Sequence, residues 1–387
     1  GEGAVASQAP SLAARLRNDW PTYLFVLGYL LATVGVGVAG ALTYRDRGAN
    51  GWVQLARACG WAIDYQLVFI LVPALRGLLT RLRRSFLGPL LPLDDAWELH
   101  RAAALGMLGL AVVHTLAHVG NLASQAVSLG AALARPAVST GALWLAVFAV
   151  MLWYARDAVR RSGRFELFAR THLLYVPWLG LALAHAPGSR RWVLVPVLLL
   201  ALERWRRARR RTHDTVAVLV EPLASGVTLV VLARPEGFRF EAGEYVYLRL
   251  PAIARGEWHP FTLSSHPERN DLLTVHVRSL GNWTRALHAH ALARRAGGDE
   301  ATMEAQLDGP YGAPAEEVFR TEVAVLVGAG IGVTPFASVL ASLLARSAGA
   351  APGIGPLRRV YFVWVARDQH AFEWFADLLR TIEARNN

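Results

Sequence analysis

The sequence predicts a multidomain membrane protein: a six-helix transmembrane bundle, then a small antiparallel β-barrel, then an incomplete α/β domain. Three observations carry that reading. The first half holds six apolar segments with arginines gathered beside them. After Arg211 come short β-branched stretches punctuated by Gly and Pro. From Glu322 the order is strand, glycine turn, helix, strand, helix, and it stops after two strands.

The expected spans are about Trp20–Thr43, Trp52–Leu79, Trp97–Leu122, Thr140–Tyr154, Phe168–Ala186 and Trp192–Ala201, within a membrane domain over 20–211. The last is short of the roughly twenty residues a span needs and extends into its basic flank. Residues 1–19 are expected as a surface or amphipathic lead-in, and Gly1–Pro10 has no signal-peptide character. One set of loops carries Arg15, Arg17, Arg76, Arg81, Arg83, Arg84, Arg156, Arg160, Arg161, Arg164 and the run Arg204 to Arg211. The other carries Arg45, Arg47, Arg135, Arg190 and Arg191. The positive-inside rule then puts both ends of the membrane domain in the cytoplasm.

Composition agrees. At 387 residues there is room for two or three domains, and 54% hydrophobic with 18% charged is too apolar for an ordinary soluble protein. The net charge of +11 sits beside membrane spans, which argues against a nucleic-acid partner and for membrane lipid. Cys59 is the single cysteine, which excludes a disulfide framework, an Fe–S cluster and a Cys-based zinc site.

Two spans carry paired histidines. His100 and His114 are fourteen residues apart, His172 and His185 thirteen, and each gap covers roughly 20 Å of helix. Ionisable groups at membrane depth are functional candidates, and imidazole is a strong iron ligand. Two matched pairs can clamp two haems, one above the other; the alternative is hydrogen bonding within the bundle. Fourteen residues return His114 to within about 40° of His100, but thirteen leave His185 about 140° from His172. That mismatch predicts a kink or wide turn near Pro177. Asp64, deep in the second span, needs a polar partner, a proton or a hydrated pocket. Asp64 and the histidines could also form a proton relay, a channel reading that a haem absorption band would discard.

Residues 215–221, 226–233, 245–250 and 272–277 read as strands of a barrel over 212–320, and 321–387 as the α/β domain. Gly328-Ala-Gly330-Ile-Gly332-Val-Thr334-Pro335 follows a strand and opens a helix, as an anion-binding turn does. By itself it is equally a tight turn, and Asp308-Gly309-Pro310-Tyr311-Gly312 by itself reads as a β-turn. His259-Pro260-Phe261-Thr262, then His276 and Arg278, supply the hydroxyl, aromatic and cationic groups that a flavin site uses; taken singly, Thr262 equally caps a turn, Phe261 equally fills a core and Arg278 is equally a surface charge.

The order HPFT, HVRSLGNWT, DGPYG, GAGIGVTP resembles the flavin and nicotinamide modules of the ferredoxin-reductase superfamily. Joined to the paired histidines, and with LPLDDAWELH, HTLAH, RRSGRFELF, EWHPFTLSS and RDQHAFEWFADLL, the chain resembles the NADPH oxidase and ferric reductase family. PTYLF and PAIARGEWHPFTLSS are most similar to its calcium-regulated branch, whose calcium-binding regulatory domain would lie outside this chain.

The resemblance implies a ferredoxin-reductase-like barrel and a relay from NADPH through FAD and two b-type haems to oxygen, yielding superoxide. A ferric chelate is the alternative acceptor. His100 with His172 would hold the inner haem iron, and His114 with His185 the outer. His259, Pro260, Phe261, Thr262, His276, Arg278 and Thr284 match flavin positions. Asp308 to Gly312 and Gly328, Gly330, Gly332, Thr334 and Pro335 match NADPH positions, and Arg367 is placed for a 2′-phosphate. Arg57 and His118 either line an oxygen pocket above the outer haem or serve a propionate and packing. Trp178 either assists electron passage between the haems or only packs. Members of the family continue through a Cys-Gly-Pro-type motif to an aromatic end over the flavin. Neither stands in this sequence, so a C-terminal part of the nicotinamide domain is expected beyond it.

Overall fold

A computed structural model describes residues 11–160, 165–209, 212–349, 353–367 and 369–386. Residues 1–10 of the lead-in and the arginines at 161, 164, 210 and 211 lie outside the described residues. The chain divides into two compact units, Gly1–Arg206 and Arg207–Asn387.

The first unit is helical: α1 (Leu12–Arg45), α2 (Gly51–Ile70), α3 (Ala96–Ser124), α4 (Pro136–Tyr154), α5 (Phe165–His172), α6 (Tyr175–His185) and α7 (Arg190–Arg209). The lead-in runs into the first span, interrupted only by non-helical dihedrals at Asp19. Leu24, Leu27, Leu31 and Val34 remain exposed along α1, as a lipid-facing stripe must. Asn50 starts α2 by accepting the Val53 N–H at 3.0 Å, and Pro136 opens α4 where a missing N–H does no harm. The fifth span is α5 and α6 together. The ten apolar residues of the sixth segment extend into a 20-residue helix, α7.

The break between α5 and α6 falls at Leu173 and Leu174, three residues before Pro177. Proline has no N–H to give the Leu173 carbonyl, so the chain tightens instead. Leu173 N–H bonds to Arg170 O, Leu174 N–H to Thr171 O, and Val176 N–H to Leu173 O. The expected kink is therefore present. The bundle core gathers Leu67, Met107, Phe148, Trp178 and Val193, all nearly inaccessible.

The second unit contains two sheets. The larger has six antiparallel strands in the order β4-β3-β6-β1-β2-β5: β1 (His213–Leu223), β2 (Val227–Ala233), β3 (Tyr245–Arg249), β4 (His259–Thr262), β5 (Leu272–Arg278) and β6 (Met303–Tyr311). Just past the end of β4 the sheet curls back toward β5, Ser264 N–H donating to Thr274 O at 2.8 Å. Inward residues such as Val230, Leu248, Leu273 and Leu307 fill the barrel, and α8 (Asn282–Gly297) covers it with Trp283, Leu287 and Ala291.

Two strands escaped the sequence reading. His259–Thr262 is the edge strand β4, where Pro260 is tolerated. Asp308–Tyr311, read by itself as a turn, ends strand β6 instead. Pro310 fits there because the β3–β6 register shifts between Tyr245 and Tyr247 and leaves it outside the ladder.

The smaller sheet pairs β7 (Val323–Ala329) and β8 (Arg359–Val365) in parallel, followed by α9 (Thr334–Ser347) and α10 (Glu373–Asn386). The stretch Gly330–Ser347 is apolar enough to cross a bilayer. It packs Ala337, Val339 and Leu340 against Ala324 and Leu326 of β7, as a helix of an α/β layer does.

Candidate functional site

The α5–α6 break brings both histidine pairs together. The rings of His100 and His172 are 6.1 Å apart between centroids, and so are those of His114 and His185. With metal–nitrogen bonds of about 2 Å, two imidazoles on opposite sides of one metal have ring centres roughly 6 Å apart. Among the described residues no three His, Cys, Asp or Glu side chains converge as a metal site. Two opposed imidazoles suit a metal whose remaining ligands come from a planar macrocycle.

The outward edges of the rings are held. His100 Nδ1 donates to Ile70 O at 2.9 Å and His114 Nδ1 to Ala56 O at 2.8 Å. A carbonyl only accepts, so both protons sit on Nδ1 and both Nε2 atoms keep a lone pair. His185 Nδ1 is 3.3 Å from Thr140 Oγ1. His172 Nδ1 is buried without a partner among the described residues.

A cavity of about 510 Å³ opens beside His100 and His172, within the range of cofactor sites. Trp97, Phe168 and Trp178 give it apolar walls, and Arg160 and Arg204 reach its rim. Arg160 lies over the Trp97 ring, and Arg204 donates to the Tyr175 hydroxyl at 2.6 Å. Trp178 is 2% exposed and stacks on Trp144 with centroids 5.0 Å apart, next to Phe148. Neither aromatic neighbour carried a signal in the sequence beyond being apolar.

At the other level His118 packs edge-on against His114, 4.6 Å between centroids. Arg57 lies close enough to His114, His118 and His185 to act on them electrostatically, with its guanidinium over the Tyr44 ring. Asp64 has no ion pair within 4.0 Å among the described residues; Arg191 and, more weakly, Arg57 act on it electrostatically from farther away.

In the second unit, His259 and Phe261 both stack on Trp283, and Thr262 lies opposite Tyr245. Pro260 between them is exposed. His276 Nδ1 shares a hydrogen bond of 2.8 Å with Ser264 Oγ, and its ring stacks on Trp374 at 3.9 Å. Burial pushes the His276 imidazole down to about 4. The Thr284 hydroxyl receives the Leu280 and Gly281 N–H groups, so it organises the turn before α8.

Asp308, Gly309, Pro310 and Tyr311 close the barrel, with Tyr311 donating to Asp308 and stacked on Tyr245. Gly312 follows the strand. Gly328 stands in the last residues of β7, and Gly330 and Gly332 lie in the turn from β7 into α9. Gly330 has φ +53, and a Cβ there would stand 3.2 Å from Arg278 Nη1, so the arginine and the turn meet. Trp364 Nε1 donates to Gly330 O at 3.0 Å and fixes the turn. Thr334 donates to Ile331 O, and Pro335 follows in the first turn of α9. Arg367 is exposed just past β8.

Three families match in chain order. Residues 59–183 match the ferric reductase like transmembrane component, 214–315 an FAD-binding domain, and 321–387 the ferric reductase NAD binding domain. The heavy chain of the superoxide-generating NADPH oxidase of Dictyostelium discoideum is 33% identical over 96% of this chain and 78% of its own. This chain belongs to the NADPH oxidase family. NADPH oxidase 5 of Homo sapiens is 35% identical over 89% of the chain, which spans about half (52%) of that relative's length. Dual oxidase 2 of Rattus norvegicus is 34% identical over 86% of the chain and 24% of its own. Among solved structures, phthalate dioxygenase reductase covers 44% of this chain and 49% of that one at 19% identity, with a TM-score of 0.34. The chain is an integral membrane protein of this family, with a flavin-binding and a nicotinamide-binding domain.

Proposed function

We propose that the chain carries electrons from cytoplasmic NADPH through FAD and two bis-histidine b-type haems to oxygen on the far side, producing superoxide. The observation that carries this reading is the matched 6.1 Å separation of both histidine pairs in a chain that also has flavin and nicotinamide domains. When bound, the flavin converts a two-electron hydride into single electrons, and the haems conduct these through the bilayer.

The protein's own contribution is to hold and orient. His100 and His172 would grip the inner haem, and His114 and His185 the outer. Nδ1 bonds to Ile70 and Ala56 keep the Nε2 atoms of His100 and His114 ready to ligate. Arg160 and Arg204 would meet anionic groups at the cavity rim. Trp178, stacked and buried, keeps the path between the levels dry and aromatic. Arg57 and His118 would favour negative charge on oxygen near the outer pair. The glycine turn before α9, with Arg278 beside it, would cradle a pyrophosphate, and Arg367 would meet a 2′-phosphate. His259, Phe261, Thr262 and His276 would frame the flavin.

Arg76, Arg156, Arg160 and Arg204 line the cavity at the His100–His172 level, and by the positive-inside rule they support the reading in which that end of the bundle faces the cytoplasm. Ferric-chelate reduction is the second reading, favoured by the description of the matching membrane component. The deciding experiment gives NADPH to the membrane-embedded protein in its longest form. Flavin, haem and superoxide-dismutase-sensitive cytochrome c reduction are followed together, beside ferric-chelate reduction. Two low-spin haems reduced with superoxide release support the proposal; a protein without a haem Soret band ends it.

A further inference from the structure

Among the four paired histidines, His185 has its ring set by a neighbouring side chain. Thr140 Oγ1 is 3.3 Å from His185 Nδ1, and the same hydroxyl donates its proton to Pro136 O at 2.6 Å. A hydroxyl has one proton and two lone pairs. With the proton spent on Pro136, the oxygen meets His185 as an acceptor. Nδ1 must then carry hydrogen, and Nε2 presents its lone pair to the metal side. The Ala137 carbonyl lies close by on the same side of the imidazole as Thr140 and favours a proton on the ring.

Sterics complete the cradle. A Cβ on Gly141 would stand 2.6 Å from His185 Cε1, closer than real Cβ contacts come, and 3.0 Å from Nδ1, so the ring would have to move. Glycine is therefore what lets the start of α4 lie against the ring. The inner pair has no counterpart of this arrangement at His172, whose Nδ1 has no partner among the described residues.

We infer that Ala137, Thr140 and Gly141 form a cradle that fixes the tautomer and position of His185, making Thr140 a positioning residue for the outer haem. This rests on the bis-histidine haem reading above. An imidazole whose Nδ1–H is bonded to an acceptor is a stronger ligand, and losing such a partner typically lowers metal affinity ten- to a hundredfold. Thr140→Ser keeps the acceptor, Thr140→Val removes it, and Gly141→Ala pushes the ring away.

The test is to purify wild type and the three variants in detergent, count haems per chain, and record spin state and both midpoint potentials. In Thr140→Val one midpoint is expected to rise, with outer-haem affinity down about tenfold. Thr140→Ser should match wild type. Gly141→Ala should lose one haem or turn it high-spin while the other stays low-spin. Two low-spin haems with unchanged midpoints in both Thr140→Val and Gly141→Ala would overturn the cradle, as would a serine variant that behaves like valine. A wild type with no haem would overturn the underlying haem reading instead, so the two failures are distinguishable.

Discussion

Glu268 and Arg346 form an ion pair of 2.7 Å that ties the loop between β4 and β5 to α9, the helix that follows the glycine turn. Ser342 donates to the same carboxylate oxygen at 2.8 Å, and Ser338, one turn earlier on α9, donates to Ser265 O at 2.6 Å. The glycine turn is thereby tied to the barrel.

Breaking that tie should loosen the nicotinamide domain. The Glu268 side chain is 7% exposed, so Glu268→Ala leaves Arg346 short of a partner and is expected to destabilise by about 2 to 3 kcal/mol. Burial opposes the charge, yet the bonds from Arg346 and Ser342 hold the carboxyl below its usual range. Its contribution is therefore complete above the unfolded value near 4.3 and fades as pH falls through the lower folded value. Denaturant midpoints followed by flavin fluorescence at pH 7 and at pH 3 check both statements.

His276 should dominate a different limb of the pH profile. Its imidazole stays neutral in the folded chain down to about pH 4, whereas the unfolded chain takes a proton near 6.5. Stability is full above that range and falls by about 3 kcal/mol as pH drops from 6.5 to 4. In His276→Phe, which keeps a ring against Trp374, this loss should disappear from melting curves taken across the same pH range.

Two glycines of α1 predict opposite outcomes. A Cβ on Gly40 would stand 2.9 Å from Arg57 O and 3.0 Å from the Trp61 ring, while Gly35 has nothing within 4 Å. Gly40→Ala should cost about 1 to 3 kcal/mol by forcing α1 and α2 apart. Gly35→Ala should be neutral or stabilising by up to about 1 kcal/mol from helix propensity. Thermal stability in detergent distinguishes them.

Arg57→Ala tests the outer pocket. Arg57 is exposed, so the expected fall in superoxide formation is about tenfold, below the effect of a fully enclosed donor. Haem content should remain at the wild-type ratio. Unchanged superoxide output in a fully loaded protein would remove Arg57 from the pocket.

Much of the architecture was legible because bilayer thickness and strand periodicity write themselves into composition. Five of the six expected spans, four strands of the barrel and the glycine turn all follow local patterns; the sixth segment forms a helix but, among the described residues, is not apolar enough over its length to count as a span. His100, His114, His172 and His185 were legible by spacing alone, and the angular mismatch at His185 pointed to the break before Pro177. The partners of those histidines were not. Ile70 O is thirty residues from His100 and Ala56 O fifty-eight from His114, and a backbone acceptor leaves no mark in the sequence. Strands β4 and β6 were missed because Pro260 and Gly309-Pro310 speak locally for turns. An edge position and a register shift, both properties of the sheet, accommodate them. Glu268 and Arg346 are seventy-eight residues apart and look like ordinary surface charges until the fold joins them.

The turn at Leu173 and Leu174 separates the orientation of His185 from the count of residues that precede it. A residue gained or lost there can be absorbed by winding or unwinding the turn. In α3, which is unbroken from Ala96 to Ser124, the same change would swing His114 by about 100° away from its partner. Insertions and deletions among relatives are thus expected to collect in one of the two histidine spans and to be absent between His100 and His114.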